Sequence, residues 1–251
     1  MERTKEEAKK YWNIRAKSFP GHREGDTYQS KMLETAEELG VNFIGKKVLD
    51  LGCGAGAYAL RIAKYASHVT ALDISSTMLG NLAADAKTNG INNITCVESD
   101  WIDYKTDEKF DIIFCSLTPA VGSADAIEKI SKHKGSTVVN ISFATPIKAF
   151  VLKELFKIHG SEHGAFEVDT VMKDWLKARN IPFLSSRVHG VWATLRTYDE
   201  MINNCVDVLE AQSIKPDLDK IRKFVENYKT GDGMYESKTG YDVEMIVWEA
   251  K

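Results

Sequence analysis

The sequence contains little that marks a secreted, membrane-bound or nucleic-acid-binding protein. Its four cysteines form no CxxC pair, so we expect a reduced, cytoplasmic protein without a structural zinc site. No apolar run approaches the roughly 20 residues of a membrane helix, and the charged opening MERTKEEAKK does not resemble a secretory signal. The net charge of −3 also lacks the basic excess of most nucleic-acid-binding proteins. We therefore expect neither a membrane nor a nucleic acid as a partner.

From residue 46 onward, short apolar runs alternate with segments of helical spacing. The runs predict strands, and helix-capping residues and glycines separate them from the helices. Such alternation is typical of a doubly wound α/β fold with a mostly parallel sheet and helices on both faces. The predicted strands are KVLDL, HVTALD, NITCVESD, FDIIFCS, STVVNIS, FLSSRVHGVWATL and YDVEMIVWEA.

Helices are predicted before the first strand and again after the fifth. Thr4 with Glu7 and Thr197 with Glu200 have the spacing of a capping box, which marks a helix start. A proline in the first turn, at Pro146, indicates another start. The predicted helices cover residues 4–19, 28–39, 146–158, 166–179, 197–211 and 216–228.

A glycine-rich turn, VLDLGCGAGA, ends the first predicted strand. Gly52, Gly54 and Ala57 satisfy the fingerprint of a dinucleotide site. The first two glycines together with Gly56 also form the G-x-G-x-G turn typical of S-adenosylmethionine sites. Asp50 favours the second interpretation, because a carboxylate beside the turn suits a cationic ligand better than a pyrophosphate.

Carboxylates also end the next two predicted strands. Asp73 closes HVTALD, where an acidic residue binds ribose hydroxyls through charge-assisted hydrogen bonds in both classes of site. Asp100 follows the third strand and is placed to accept a hydrogen bond from an adenine amine. The backbone N–H of Trp101 would meet a ring nitrogen, and its indole would pack nearby. The spacing thus predicts a nucleoside along this edge of the sheet.

In combination, these segments resemble the class I S-adenosylmethionine-dependent methyltransferases over roughly residues 46–142. The resemblance implies a seven-stranded sheet of order 3-2-1-4-5-7-6 with strand seven antiparallel, S-adenosylmethionine as cofactor, and an N-terminal lid helix, YWNIRAKSF. The cofactor-binding residues that it implies are Tyr11 and Arg15 at the methionine carboxylate, Asp50, Gly52, Cys53, Gly54 and Gly56 at the methionine end, Asp73 at the ribose, Ile74 and Met78 beside the adenine, Asp100 and Trp101 at its edge, and Ser116 at the reacting centre.

The fourth strand ends in CSLTPAVGS and lacks the Asn/Asp-Pro-Pro-aromatic motif of many amino-group methyltransferases. This departure counts against a nucleobase amine or a glutamine side chain as acceptor. We expect a small molecule with an O, N or S nucleophile, bound by lid helices in residues 1–40 and by insertions in a 41–251 core, at about 143–182 and 196–238. These segments and the neighbouring sixth strand contain Trp12, His22, Tyr28, His159, His163, Trp175, His189, Trp192 and Tyr198, of which Trp175 has the spacing of a core residue.

Methyl transfer needs a catalytic base only if the nucleophile starts protonated, and His22 and His189 are the weak candidates for that role. His159 and His163 are four residues apart, but glycines interrupt any helix that would present both, so we expect no metal site. Two other functions remain open at this point. They are an RNA or protein methyltransferase and a non-catalytic S-adenosylmethionine-binding protein.

Overall fold

The computed structural model describes residues 3–19, 28–147, 149–162 and 170–251. Within these ranges the chain forms one seven-stranded sheet of order β3-β2-β1-β4-β5-β7-β6, with β7 antiparallel to both of its neighbours. The other pairs are parallel. The sheet order and the antiparallel strand confirm the predicted fold class. The strands are β1 (Lys47–Leu51), β2 (His68–Asp73), β3 (Ile94–Glu98), β4 (Ile112–Ser116), β5 (Thr137–Phe143), β6 (Phe183–Arg196) and β7 (Tyr235–Glu249).

Helices cover both faces of the sheet. The capping boxes predicted at Thr4 and Thr197 are both present and open the first and eighth helices. Among the described residues, no helix is long and apolar enough to cross a membrane. The helices are α1 (Lys5–Arg15), α2 (Tyr28–Glu38), α3 (Ala59–Ile62), α4 (Ser76–Thr88), α5 (Ala124–Ser131), α6 (Phe150–Ile158), α7 (Val171–Ala178), α8 (Tyr198–Ala211) and α9 (Leu218–Val225).

The central strands are apolar on both sides because each side faces its own core. Successive residues of a strand point to opposite faces, so Val48 of β1 packs with α2, α3 and α4 while Leu49 packs with α5 and α7. Trp175 of α7 lies in the second core and is 6% exposed, which confirms the core position that its spacing indicates.

A third apolar cluster lies apart from the sheet. It joins α6, α8 and α9 to the start of β7 through Leu155, Leu209, Ile221 and Tyr235, and we call these three helices the helical cluster. The strands that lead to it form a two-stranded ribbon, because the β5–β7 pairing ends at Phe143 whereas β6 and β7 stay paired to Arg196 and Tyr235. The ribbon therefore connects the sheet to the helical cluster.

Several predicted boundaries are wrong. The helix expected from residue 146 begins at Phe150, because the chain after β5 is held against β7 by hydrogen bonds from Ala144 and Thr145 to Asp242. Strand β7 starts at Tyr235 rather than Tyr241 because its first residues pair with the ribbon half of β6. Helix α7 starts at residue 171, and the predicted residues 166–169 lie outside the described part of the chain.

Candidate active site

The turn after β1 holds three glycines with positive φ, and packing explains two of them. A Cβ on Gly52 would lie 2.0 Å from Oγ1 of Thr118, and one on Gly56 would lie 2.2 Å from Cδ1 of Leu82. Gly54 has φ of +54°, and no described heavy atom lies within 4 Å of the position that its Cβ would take. Gly52 and Gly56 thus allow close packing, whereas Gly54 faces space that a ligand can enter.

Asp73 ends β2 directly beside this turn. Its carboxylate accepts hydrogen bonds from the backbone N–H groups of Gly54, at 2.9 Å, and Ser75, at 2.8 Å. Burial raises the pKa of Asp73, while the N–H donors of Ser75, Gly54 and Ile74 oppose that rise. These donors fix the carboxylate at the corner between the glycine turn and α4, where the sequence predicts a ribose.

Asp50 lies beneath the turn and is only 2% exposed. It accepts a hydrogen bond from the backbone N–H of Ala59 at the start of α3, but its Oδ2 has no partner among the described residues. Burial, with a smaller contribution from the charge of Asp73, raises the pKa of Asp50 to about 7. Cys53 is buried next to it, and burial raises the pKa of its thiol. The unpartnered oxygen marks a position where a cationic ligand would be stabilised.

Helix α1 lies across the start of α4 and is held there by asparagines. The Asn13 Oδ1 accepts from the Ser75 hydroxyl, at 2.7 Å, and from the Thr77 N–H, at 3.3 Å. On the same interface, Asn81 donates to the backbone carbonyl of Ala16 at 2.9 Å. Ser75 is the N-cap of α4. Sequence reasoning missed Asn13, although its place on the predicted lid helix was a usable signal.

Residues expected beside an adenine take different positions. Met78 is 1% exposed and packs between Ala16 of α1 and Ala55 of the glycine turn, with Trp12 against the same group. Its side chain is therefore covered by α1 and supports the turn from below. Ile74 follows Asp73 and is half-buried.

The two α1 residues expected at a carboxylate differ in their surroundings. Tyr11 is half-buried, and the guanidinium of Arg3 lies 4.0 Å from the centre of its ring. Arg15 faces α8, where the charge of Asp207 opposes the lowering of its pKa that burial causes. The Nη1 of Arg15 is buried and has no partner in the described residues. Arg15 thus has a donor left for an anionic group.

The end of β3 only partly matches its predicted role. Asp100 accepts a hydrogen bond from the Ile102 N–H at 2.9 Å, and its Oδ1 lies 3.5 Å from the Nζ of Lys5 in α1. The indole of Trp101 was expected near the adenine, and this expectation is wrong. Trp101 is 1% exposed in the second core, where its Nε1 donates to the carbonyl of Ala126 at 3.0 Å.

Ser116 ends β4 and is followed by a strained residue. Leu117 has φ of +48°, in a region that costs a non-glycine residue about 1–3 kcal/mol and is often found at functional sites. Its N–H donates to the Ile141 carbonyl at 2.8 Å, which fixes this turn against β5. Burial raises the pKa of Tyr58, and contacts of its hydroxyl with those of Ser116 and Tyr28 oppose that rise. Sequence reasoning missed Tyr58, although it directly follows the glycine turn.

Three aromatic rings form a cluster between α2 and the ribbon. The rings of Trp192 and Tyr241 are stacked with centroids 4.9 Å apart, and Tyr28 lies edge-on to both, at 5.2 and 4.9 Å. Tyr241 fits there because it crosses Gly190 of β6, where a Cβ would lie 2.5 Å from its hydroxyl. Tyr28 and Trp192 were expected near the acceptor, whereas nothing beyond strand alternation pointed to Tyr241.

The histidines do not converge on this site within the described residues. His189 is exposed, and its place in β6 alternates with Trp192, so the two side chains point to opposite faces of the ribbon. His159 uses both ring nitrogens, with Nδ1 bonded to the Leu155 carbonyl, at 2.8 Å, and Nε2 accepting from the Asp217 N–H, at 3.1 Å. His22 and His163 lie outside the described residues. No group of three or more metal-binding side chains occurs among the described residues.

Buried polar atoms without hydrogen-bond partners are concentrated at this edge of the sheet. Two of those in the described residues are indole nitrogens, of Trp175 and Trp248, in the second core. Asp50 Oδ2 and Tyr58 Oη lie by the glycine turn and the end of β4, and Tyr28 Oη lies close to Tyr58. The remaining atom is Arg15 Nη1, on the side of α1 that faces α8. Because orphaned polar groups cost free energy, their concentration here indicates a polar ligand.

Part of the chain is similar in sequence to known methyltransferases. Residues 48–135 match the model of a family described as "Methyltransferase domain". A ubiquinone biosynthesis O-methyltransferase of Vibrio parahaemolyticus is 29% identical over 117 residues, covering 46% of this chain and 48% of that protein. A 23S rRNA (uracil-C5)-methyltransferase of Vibrio vulnificus is 36% identical over 102 residues, covering 38% of this chain and 23% of that protein. The matches thus span less than half the length of these curated relatives.

The fold also matches solved methyltransferase structures. Magnesium protoporphyrin IX methyltransferase from Synechocystis PCC 6803, solved with bound SAH, superposes with a TM-score of 0.54. It is 15% identical, and the match covers 96% of this chain and 98% of that one. The chain thus shares its fold with solved methyltransferases, and its residues 48–135 match a methyltransferase domain.

Proposed function

We propose that the chain binds S-adenosylmethionine and transfers its methyl group to an O, N or S nucleophile of a small molecule. The observation that carries this proposal is the convergence of an open glycine, a ribose-type carboxylate and a buried unpartnered carboxylate oxygen at one edge of the sheet. These are Gly54, Asp73 and Asp50. A cytoplasmic location and a substrate region built from the lid and the later insertions belong to the same proposal.

The residues present fit the polar groups of this cofactor. Asp50 would stabilise the ammonium group through its free oxygen, and Arg15 would bind the carboxylate with its unpartnered Nη1. Asp73 would accept hydrogen bonds from the ribose hydroxyls. Ile74 and Asp100 would meet the adenine, although Asp100 must then share its carboxylate with Lys5. A dinucleotide fits less well, since Asp50 would lie beneath its pyrophosphate.

The chain's own contribution to catalysis would be positioning. When bound, S-adenosylmethionine supplies an activated methyl group on a sulfonium, so orientation and exclusion of water can provide much of the rate. Helix α1 covers the glycine turn through Trp12 and Ala16, and Asn13 fixes it to the corner at Ser75. The constrained turn at Ser116 and Leu117 would hold the end of β4 beside the reacting centre.

Calorimetric titration of the purified chain tests the proposal directly. We expect S-adenosylmethionine and S-adenosylhomocysteine to bind, and NAD not to bind under the same conditions. Binding of NAD alone would make the chain a dinucleotide-binding protein and overturn the proposal. Mass spectrometry of the ligand bound after purification provides an independent check.

An RNA acceptor is the second candidate. It is favoured by the likeness to the 23S rRNA enzyme and by Lys9 and Lys10 of α1 and Lys17 just after it, which line one surface groove together with Glu6. Lys9 is paired with Glu98. Tight, salt-dependent binding of RNA in fluorescence anisotropy would support it. A protein acceptor and a purely binding role remain as alternatives, and the latter requires cofactor binding without transfer to any acceptor.

A further inference from the structure

Two of the orphaned polar atoms have no role in holding the cofactor. The hydroxyls of Tyr28 and Tyr58 are buried and lie close to each other and to Ser116, but neither makes a hydrogen bond of regular geometry within the described residues. Tyr58 is 8% exposed, and its ring packs against Phe114 of β4 at 4.8 Å between centroids. The ammonium, carboxylate and ribose of the proposed cofactor are already matched by other side chains. A contact between the two hydroxyls uses only one of their protons, so at least one phenol donor is left for a different ligand.

Tyr58 lies beside Ser116, where the proposed function places the reacting centre, and Tyr28 lies beside Tyr58. Tyr58 lies near the hydroxyls of Ser116 and Tyr28, and burial raises the pKa of both phenols far above the ordinary value. Each therefore keeps its proton at neutral pH and is a hydrogen-bond donor. A buried donor is satisfied only by a lone pair, and a protonated amine has none to offer.

The wall next to these donors is aromatic. The stacked pair of Trp192 and Tyr241 and the edge-on ring of Tyr28 present π surfaces, with Phe143 at the end of β5 6.3 Å from Trp192. No side chain in this set carries a formal charge. A planar, uncharged ring matches such a wall through stacking and edge-to-face contacts.

We propose that Tyr28 and Tyr58 recognise the methyl acceptor by donating hydrogen bonds to an oxygen on an aromatic ring, which packs against Trp192 and Tyr241. The proposal rests on the proposed function and names its substrate class, a hydroxylated aromatic compound. The acceptor oxygen forms a bond to the methyl carbon as the carbon–sulfur bond breaks. The electron pair of that bond stays on sulfur, and the hydroxyl proton passes to water. The two donors stabilise the acceptor oxyanion, so no histidine base is needed.

The test measures transfer of tritiated methyl from S-adenosylmethionine to four probes. They are 1-naphthol, catechol, cyclohexanol and ethanolamine. We expect methylation of 1-naphthol or catechol, and no methylation of cyclohexanol or ethanolamine. Tyr28→Phe and Tyr58→Phe remove a hydroxyl and keep the ring, so each should raise the KM of the phenolic probe about tenfold. Their Kd for S-adenosylhomocysteine should stay within about twofold of the parent chain.

Tyr65→Phe is the matched control, since Tyr65 is 61% exposed and follows α3 at the other end of the strands. It should change neither KM nor Kd. Methylation of ethanolamine in preference to the phenols would overturn the proposal, as would cofactor binding with no phenol methylated. Tyr→Phe variants that weaken cofactor binding instead of raising KM would also overturn it. If S-adenosylhomocysteine does not bind at all, the proposed function itself fails, and this distinguishes the two failures.

Discussion

The carboxyl edge of the first strands and the helical cluster treat buried polar groups in opposite ways. In the helical cluster, His159 uses both ring nitrogens to tie α6 to α9, and the Tyr235 hydroxyl donates to Glu226 at 3.0 Å. At the strand edge, Asp50 keeps a buried carboxylate oxygen without a hydrogen-bond partner in the described residues. The polar groups named for the cluster are thus satisfied within the protein, whereas the proposed function completes the edge with a ligand. Substitutions in the first should change stability, and those in the second should change binding.

The largest difference between the effect on stability and the effect on binding is expected from Leu209→Ala. Leu209 of α8 is fully buried in the helical cluster, and truncating such a residue costs about 2–5 kcal/mol of unfolding free energy. Urea denaturation should show this loss, with the Kd for S-adenosylhomocysteine unchanged. Leu218→Ala is the control, because Leu218 is 47% exposed and should cost less than about 0.5 kcal/mol. A large loss of affinity in Leu209→Ala would show that the two regions are coupled.

Two glycine substitutions make the same contrast within a single turn. Gly56→Ala should cost about 2–4 kcal/mol of stability, since its Cβ would collide with Leu82 at a positive φ. Gly54→Ala carries only the backbone strain, about 1 kcal/mol, but it should weaken S-adenosylhomocysteine binding because its Cβ enters the open space. Equal effects of the two changes on binding would contradict our division of the glycines into packing and ligand positions.

Asp73→Ala should act mainly on binding. Loss of charged hydrogen bonds to the ribose should weaken S-adenosylhomocysteine by about 1.5–3 kcal/mol in calorimetry. Asp199→Ala removes an exposed carboxylate from the first turn of α8 and serves as the charge control. Unchanged affinity in Asp73→Ala would refute the ribose assignment.

Asp50 should make cofactor binding depend on pH. Its pKa is about 7 in the folded chain against an ordinary 3.8, so the ligand-free folded state holds a proton that the unfolded chain releases. The unfolding free energy should therefore fall as pH rises from about 4 to about 7. A bound ammonium favours the ionised carboxylate, and affinity should rise about tenfold between pH 6 and 8.

Calorimetry between pH 6 and 8 measures this change in affinity. In Asp50→Asn the affinity should no longer depend on pH over that range. The titratable groups with an electrostatic interaction with Asp50 are Asp73, Tyr58, Cys53 and Cys115. The three last groups keep their protons throughout, because burial raises their pKa values. A slope that persists in Asp50→Asn would assign the titration to Asp73.

The smallest effect is expected from Asn13→Ala. This change removes the acceptor for Ser75 at the corner that holds Asp73, and should weaken S-adenosylhomocysteine binding by about 1 kcal/mol. Asn81→Ala removes a different hydrogen bond between α4 and α1, the one to the Ala16 carbonyl, and should leave S-adenosylhomocysteine binding nearly unchanged. Equal losses in both variants would mean that α1 docking as a whole, rather than the Asn13 contact, supports the site.

The sequence predicted the strand edge better than the helical cluster, and the reason is physical. Strand ends such as Asp73 are marked by local pattern and turn chemistry, and the capping boxes at Thr4 and Thr197 depend only on nearby residues. By contrast, the inward turn of Trp101 depends on the carbonyl of Ala126, which is distant in the sequence. The extra length of β7 likewise depends on pairing with β6.

In the candidate site too, features that depend on residues distant in the sequence could not be predicted. The glycine turn and the acidic strand ends follow from spacing, whereas the outward face of His189 depends on the register of the ribbon. The burial of Tyr28 and Tyr58 arises only when α2, α3 and the ribbon come together. No local signal specifies which phenol lacks a partner.

The ribbon has a consequence for how acceptor specificity can change during evolution. It carries Trp192 and Tyr241 beyond the last β5 pair at Phe143, so β6 and β7 pair only with each other along this extension. Substitutions there can reshape the acceptor wall without disturbing the register of the parallel strands or the glycine turn. Selection can therefore change the residues of the proposed acceptor site while the residues of the proposed methyl-donor site stay the same.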